Sequence, residues 1–80
     1  EADLSRANLS GADLGGADLR KAILSETILS GANLGAADLS RACLSAATVS
    51  DTQLDSAISL EGAIMPDEDV EKCGALLRNQ

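Results

Sequence analysis

The sequence predicts an all-β solenoid: a narrow coil with four short sides per turn, about three turns long, followed by a short C-terminal α-helix that caps it. Three observations lead there. Leucine recurs every five residues through the first half of the chain; residues 2–21 and 22–41 agree at twelve of twenty positions; and the composition changes at Pro66.

The five-residue beat is carried by Leu4, Leu9, Leu14, Leu19, Leu24, Leu29, Leu34, Leu39, Leu44 and Leu54, with Val49 in the remaining place. Two residues before each stands Ala or Thr, from Ala2 to Thr52. On an α-helix a step of five rotates the side chain by about 500°, equivalent to about 140°, so these leucines would scatter around the cylinder. On a continuous strand an odd period would send alternate leucines to opposite faces. Within one unit, however, Ala and Leu are two apart and share a face. If the two residues after Leu turn a corner, each unit becomes one extended edge with Ala and Leu inward, and the chain winds around a polygon. Gly11, Gly15, Gly16, Gly31 and Gly35 fall at the corner positions, where a positive φ is expected.

The number of sides follows from the longer period. The identities at a spacing of twenty include corner and outward positions, such as Ser5 with Ser25 and Gly11 with Gly31, where the five-residue rule asks for nothing. Four fives therefore make one turn. These tandem A-(D/N)-L-x-x units resemble the pentapeptide repeat family over residues 2 to about 66. The resemblance implies a right-handed quadrilateral β-helix with Leu columns filling its bore. It also implies a context: such proteins abound in oxygenic phototrophs, including the thylakoid lumen, and most lack a known biochemical activity.

After Leu54 the register slips. Leu60 and Met65 restore the spacing if one residue is inserted around Ala57, which would be accommodated as a bulge at a corner. From Pro66 the pattern is helical: Asp67, Glu68 and Asp69 suit a helix N-terminus, Arg78 suits the other end, and Val70, Cys73 and Leu77 share one face. A helix here would shield the open end of a coil. Residues 1–66 are thus expected to form the β-helix and residues 67–80 a capping helix and tail. Residue 1 already lies within the repeat, so three alternatives are open for the edge at Ala2: a cap that has been lost, a coil continued by further residues, or end-to-end docking of an uncapped N-terminal coil onto a partner.

The composition bounds function by exclusion. With no His, neither Ser-His nor Cys-His nucleophile pairs are available, and no phosphate loop or cysteine cluster occurs. No enzyme activity, cofactor or metal site is expected. Six Lys and Arg against thirteen Asp and Glu give a net charge of −7, which argues against a phosphate-backbone binder, and no apolar run is long enough to insert in a membrane. Arg20, Lys21 and Arg41 lie among Asp18 and Asp38 and read as a solvated charge ladder.

The expected partner is another protein. By register, Ile23, Ile28 and Cys43 point outward and form a candidate apolar patch. Cys43 and Cys73 permit one disulfide, joining the helix to the third coil, without demanding it; two unpaired thiols are the alternative. The resulting expectation is a noncatalytic interaction scaffold, a small subunit or assembly factor of a photosynthetic membrane complex in the thylakoid lumen, with the cytoplasm as the other location. The alternative implied by the resemblance is a DNA mimic that modulates a type II topoisomerase such as gyrase.

Overall fold

A computed structural model describes residues 3–78, with side chains through residue 75. Parallel bridges join residues twenty apart in four columns: Asp3 to Ile23 to Cys43, Asn8 to Ile28 to Thr48, Asp13 to Asn33, and Asp18 to Asp38. Hydrogen bonds between coils run both ways along the axis. Leu9 N–H donates to the Ile28 carbonyl below it (2.8 Å), and Ile28 N–H donates back to the Ala7 carbonyl (2.9 Å).

Each corner of the first two coils is closed by a turn in which the Leu carbonyl accepts from the N–H of the Ala (once Thr27) three residues on, as from Ala7 to Leu4 (3.0 Å). The second corner residue has positive φ, as a type II turn requires. Glycine occupies four such places, but Arg6, Lys21, Glu26, Ala36, Arg41 and Ala46 hold φ of 59–63°. This corrects the reading of Gly15 and Gly35. They stand at the first corner position, where φ is not positive; a Cβ there would instead crowd the Asn33 side-chain amide at 3.1–3.2 Å.

Because every five-residue side gives two residues to a corner, only one residue per side bridges to the next coil. The sides therefore stack as isolated bridges, and no continuous strand forms among the described residues, contrary to the simplest reading of an all-β chain. The continuous elements are helical: α1, Asp51–Asp55, and α2, Val70–Arg78.

The bore is filled by the inward columns. Leu24, Leu29, Leu34, Leu39 and Leu44 are buried, with Ala22, Ala32, Ala37 and Ala42 between them. Thr27 takes an alanine place and satisfies its buried hydroxyl on the Leu4 carbonyl (2.7 Å). Leu4, Leu9 and Leu14 in the first coil and Val49 in the last are only half-buried, since each has a coil on one side alone; Leu19 and Leu54 are buried.

α1 is the main departure from the expected register. The third side of the last coil is replaced by one helical turn. The extra residue enters just after it, beside Ala57 as expected: Ala57 N–H still closes its corner on Leu54 and Ile58 N–H still donates to the Ala37 carbonyl, as Asp38 does to Ala17, whereas Ser59 bridges Asp38 at a spacing of twenty-one where Thr48 bridges Ile28 at twenty. Thr52, expected to face the bore, is exposed, while Leu54 reaches the core from the helix.

Candidate interaction surfaces

The outward columns of Asp and Asn brace the corners. Oδ1 of Asp3 accepts from Ser5 N–H (3.1 Å) and Oγ (2.7 Å); Asn8 does the same for Ser10, Asp38 for Ser40, and Asp13 and Asn33 for the amides of Gly15 and Gly35. A short polar side chain two residues before a corner is the signal for this arrangement. Sequence reasoning placed these residues outward but missed the bond.

The same contacts set the protonation of the coil. The Arg20 side chain, donating through Nε and Nη2 at 2.8 Å each, and the Arg20 amide hold the Asp18 carboxyl far below the usual range. The Ser5 and Ser40 hydroxyls, then their amides, lower Asp3 and Asp38. Glu68 is lowered by the Met65 N–H and then by Lys72. Each displaced group is thus engaged with its own turn.

The apolar patch is rearranged. Cys43 stands in outward register yet is fully buried, because α2 lies over it: Cys43 and Cys73 are joined by a disulfide, with their Cα atoms 5.4 Å apart. Ser25 and Ser45, also outward by register, are buried at the same place. The Ser25 hydroxyl donates to Cys43 Sγ, which as a disulfide sulfur carries no proton (2.9 Å), and Ser45 Oγ donates to the Glu68 carbonyl (2.7 Å). Cys43 is therefore no part of an exposed patch. Ile23 is half-buried and Ile28 is 38% exposed, so Ile28 carries what remains of that face, while Ile58 (70%) and Val70 (55%) are exposed elsewhere.

These contacts place α2 on the flank of the rod. The lid expected across its end also used the side chains of Leu77 and Arg78, which lie outside the described residues, as does Ala2 at the other edge.

Gln53, unremarked in the sequence, holds the break in the coil together. Elsewhere the residue in this register donates its own N–H to the coil above, Asn33 to Ala12 (2.8 Å) and Thr48 to Thr27 (2.9 Å). The Gln53 N–H is turned instead to Ser50 Oγ (3.1 Å), and its side chain substitutes: Nε2 donates to the carbonyls of Ala32 (2.9 Å) and Leu29 (2.6 Å). Oε1 accepts from Ser50 N–H (2.8 Å), completing a capping box. The Ser50-x-x-Gln53 spacing is the signal that would have revealed it. Beside the break lies a concavity of about 490 Å³ lined by Ser30, Gly31, Thr48, Val49, Ser50 and Gln53.

Known proteins resemble the chain as follows. Residues 2–41 match the family of pentapeptide repeats, in eight copies. Among solved structures, alr5209, a pentapeptide repeat protein from Nostoc Pcc 7120, is 31% identical; the match covers 91% of this chain and 78% of that one, with a TM-score of 0.35. No curated protein matches.

Proposed function

Because the chain belongs to the pentapeptide repeat family, we propose that it is a noncatalytic scaffold that works by holding another protein. The observation that carries this reading is how its side chains are used. The outward Asp and Asn residues close their own corners, while aliphatic side chains, Ile28 and Ile58 among them, stand exposed outside the coil. A surface of this kind suits contact with a partner rather than chemistry on a small substrate.

On this reading the coil winds right-handed over residues 1–66, and residues 67–80 cap it by holding α2 against the last coils. The Ile23 and Ile28 side is the docking face, with the N-terminal coil as a second contact. The buried Cys43–Cys73 bond favours an oxidising compartment, and the thylakoid lumen, within a photosynthetic assembly, is the one the resemblance points to. The duplex-mimic alternative is not favoured, since the acidic charge gathers toward one end of the chain rather than running along it.

Quantitative co-purification from the source tests the scaffold reading, using the chain and its Ile28→Asn variant. Asn8, in the same column, already braces its corner, so the variant keeps the fold. The wild type is expected to retain a stoichiometric protein that the variant loses; equal recovery with both would remove the Ile28 face, and no retained protein would overturn the scaffold reading.

A further inference from the structure

The last coil does not close. Its chain crosses Ile64, which bridges Cys43, turns at Pro66 and leaves for α2, so a fourth coil has one side and lacks three. The bore consequently opens at its C-terminal end onto a concavity of about 360 Å³, lined by Val49, Asp51, Leu54, Met65, Pro66 and Asp67. Leu54 belongs to the core, and Val49 and Met65, partly buried, pack against it to complete an apolar floor. Asp51 and Asp67 make an acidic rim, and among the described side chains neither pairs with a cation. The volume lies at the lower end of the range for ligand pockets, about 300–1,000 Å³, room for one inserted side chain.

The chain that forms this end is predominantly acidic, and its nearby cation, Lys72, is already paired with Glu68 (3.1 Å). Residues 42–71 hold seven of the thirteen Asp and Glu residues and no Lys or Arg. The first coil, by contrast, balances Asp3, Asp13 and Asp18 against Arg6, Arg20 and Lys21. A second copy of this chain therefore offers the opening no complementary charge at either end. A basic segment does, and an apolar floor inside an acidic rim strengthens that attraction by excluding water around it.

We propose that this open end of the bore docks a basic segment of a partner protein, which inserts one aliphatic side chain against Leu54 and Met65 and sets Lys or Arg against Asp51 and Asp67. The inference rests on the scaffold reading and names a site and partner chemistry for it. Shape selects the aliphatic side chain and charge selects its neighbours, so the two contributions separate experimentally.

The test is an amide-resolved NMR titration of the full, disulfide-bonded chain with three synthetic peptides: a leucine flanked by lysines, the same with alanine for leucine, and a leucine flanked by glutamates. The first is expected to shift the amides of residues 49–54, Met65 and Asp67. The alanine peptide binds about tenfold more weakly, the equivalent of about 1.4 kcal/mol, and the glutamate peptide does not bind. Met65→Lys abolishes the effect, and Asp51→Asn with Asp67→Asn weakens it severalfold and flattens its salt dependence. If Met65→Lys fails to fold, the double Asn variant carries the test. Equal binding of leucine and alanine peptides, shifts confined to 23–28, or concentration-dependent shifts at the opening without peptide would each overturn the proposal. Co-purification with Ile28→Asn judges the scaffold reading separately, so a silent opening overturns this inference alone.

Discussion

Gln53→Ala should destabilise the coil by about 2–4.5 kcal/mol, summed bond by bond. The Ala32 carbonyl, on a residue only 5% exposed, loses its donor at 2.9 Å; leaving a buried acceptor unmet costs about 1–3 kcal/mol. The Leu29 carbonyl keeps the Ala32 N–H at 2.9 Å, so losing Nε2 there costs less, about 0.5 kcal/mol. The capping box loses the Oε1 acceptor for Ser50 N–H, about 0.5–1 kcal/mol. A domain of this size holds only about 4–12 kcal/mol in all, and each kcal/mol moves its melting point by about 4–8 °C. Urea and thermal unfolding followed by circular dichroism measure both quantities. Gln53→Glu sharpens the test, because it keeps the acceptor for Ser50 but turns an oxygen toward two carbonyls. At neutral pH it should be at least as damaging as alanine, and it should recover partly when protonated. A Glu variant as stable as wild type at pH 7, or an Ala variant within about 0.5 kcal/mol of it, would refute the substitution of side chain for backbone in the ladder.

The remaining predictions concern the strap, the corners and the charge. Cys73→Ser should lower global stability by about 3–4 kcal/mol, since the bond closes a thirty-residue separation; urea unfolding measures it, and an unchanged midpoint with loss of amide protection only in α2 would mean that the bond holds the helix alone. Ala36→Gly and Ala46→Gly should each stabilise by about 0.5–1 kcal/mol, the left-handed crowding of about 1–2 kcal/mol less the extra freedom of glycine when unfolded; a fall in melting point would contradict the corner geometry. Asp3, Asp18, Asp38 and Glu68 bind protons more weakly folded than unfolded, so their contribution is complete above the usual carboxylate range and lost as pH falls through the folded values. Melting temperatures should be level from pH 8 to about 5 and fall below about 4, with a shallower fall in Asp18→Asn.

The repeat made the coil legible because its two periods are demanded by different things: five by the inward pair and its corner, twenty by the stacking of like sides. Leu24, Leu29 and Leu34 accordingly sit in the bore at the register the sequence implies. α1 was hidden by that same beat. Leu44, Val49 and Leu54 keep the spacing of five straight through the helix, so the count of leucines stays regular where the backbone does not. The competing signal was the Ser50 and Gln53 pair, a local cap that only matters once the side chain is seen to replace a backbone donor. Cys43 exposes a second limit. Register gives the direction of a side chain but not what will lie over it, and an outward cysteine becomes a buried one when α2 folds back. The open end of the bore was illegible for the same reason, since it depends on where the chain leaves the coil.

A contact with another protein at Ile28 or at the open end of the bore is measured most directly by site-specific photocrosslinking in a source extract. A crosslinking residue is placed in turn at Ile28, at Met65 and, as a control, at Asp18, whose carboxylate is held by Arg20. A discrete protein adduct from position 28 or 65, absent from position 18, is the result predicted. Adducts of equal yield at all three positions, or at none, would contradict it.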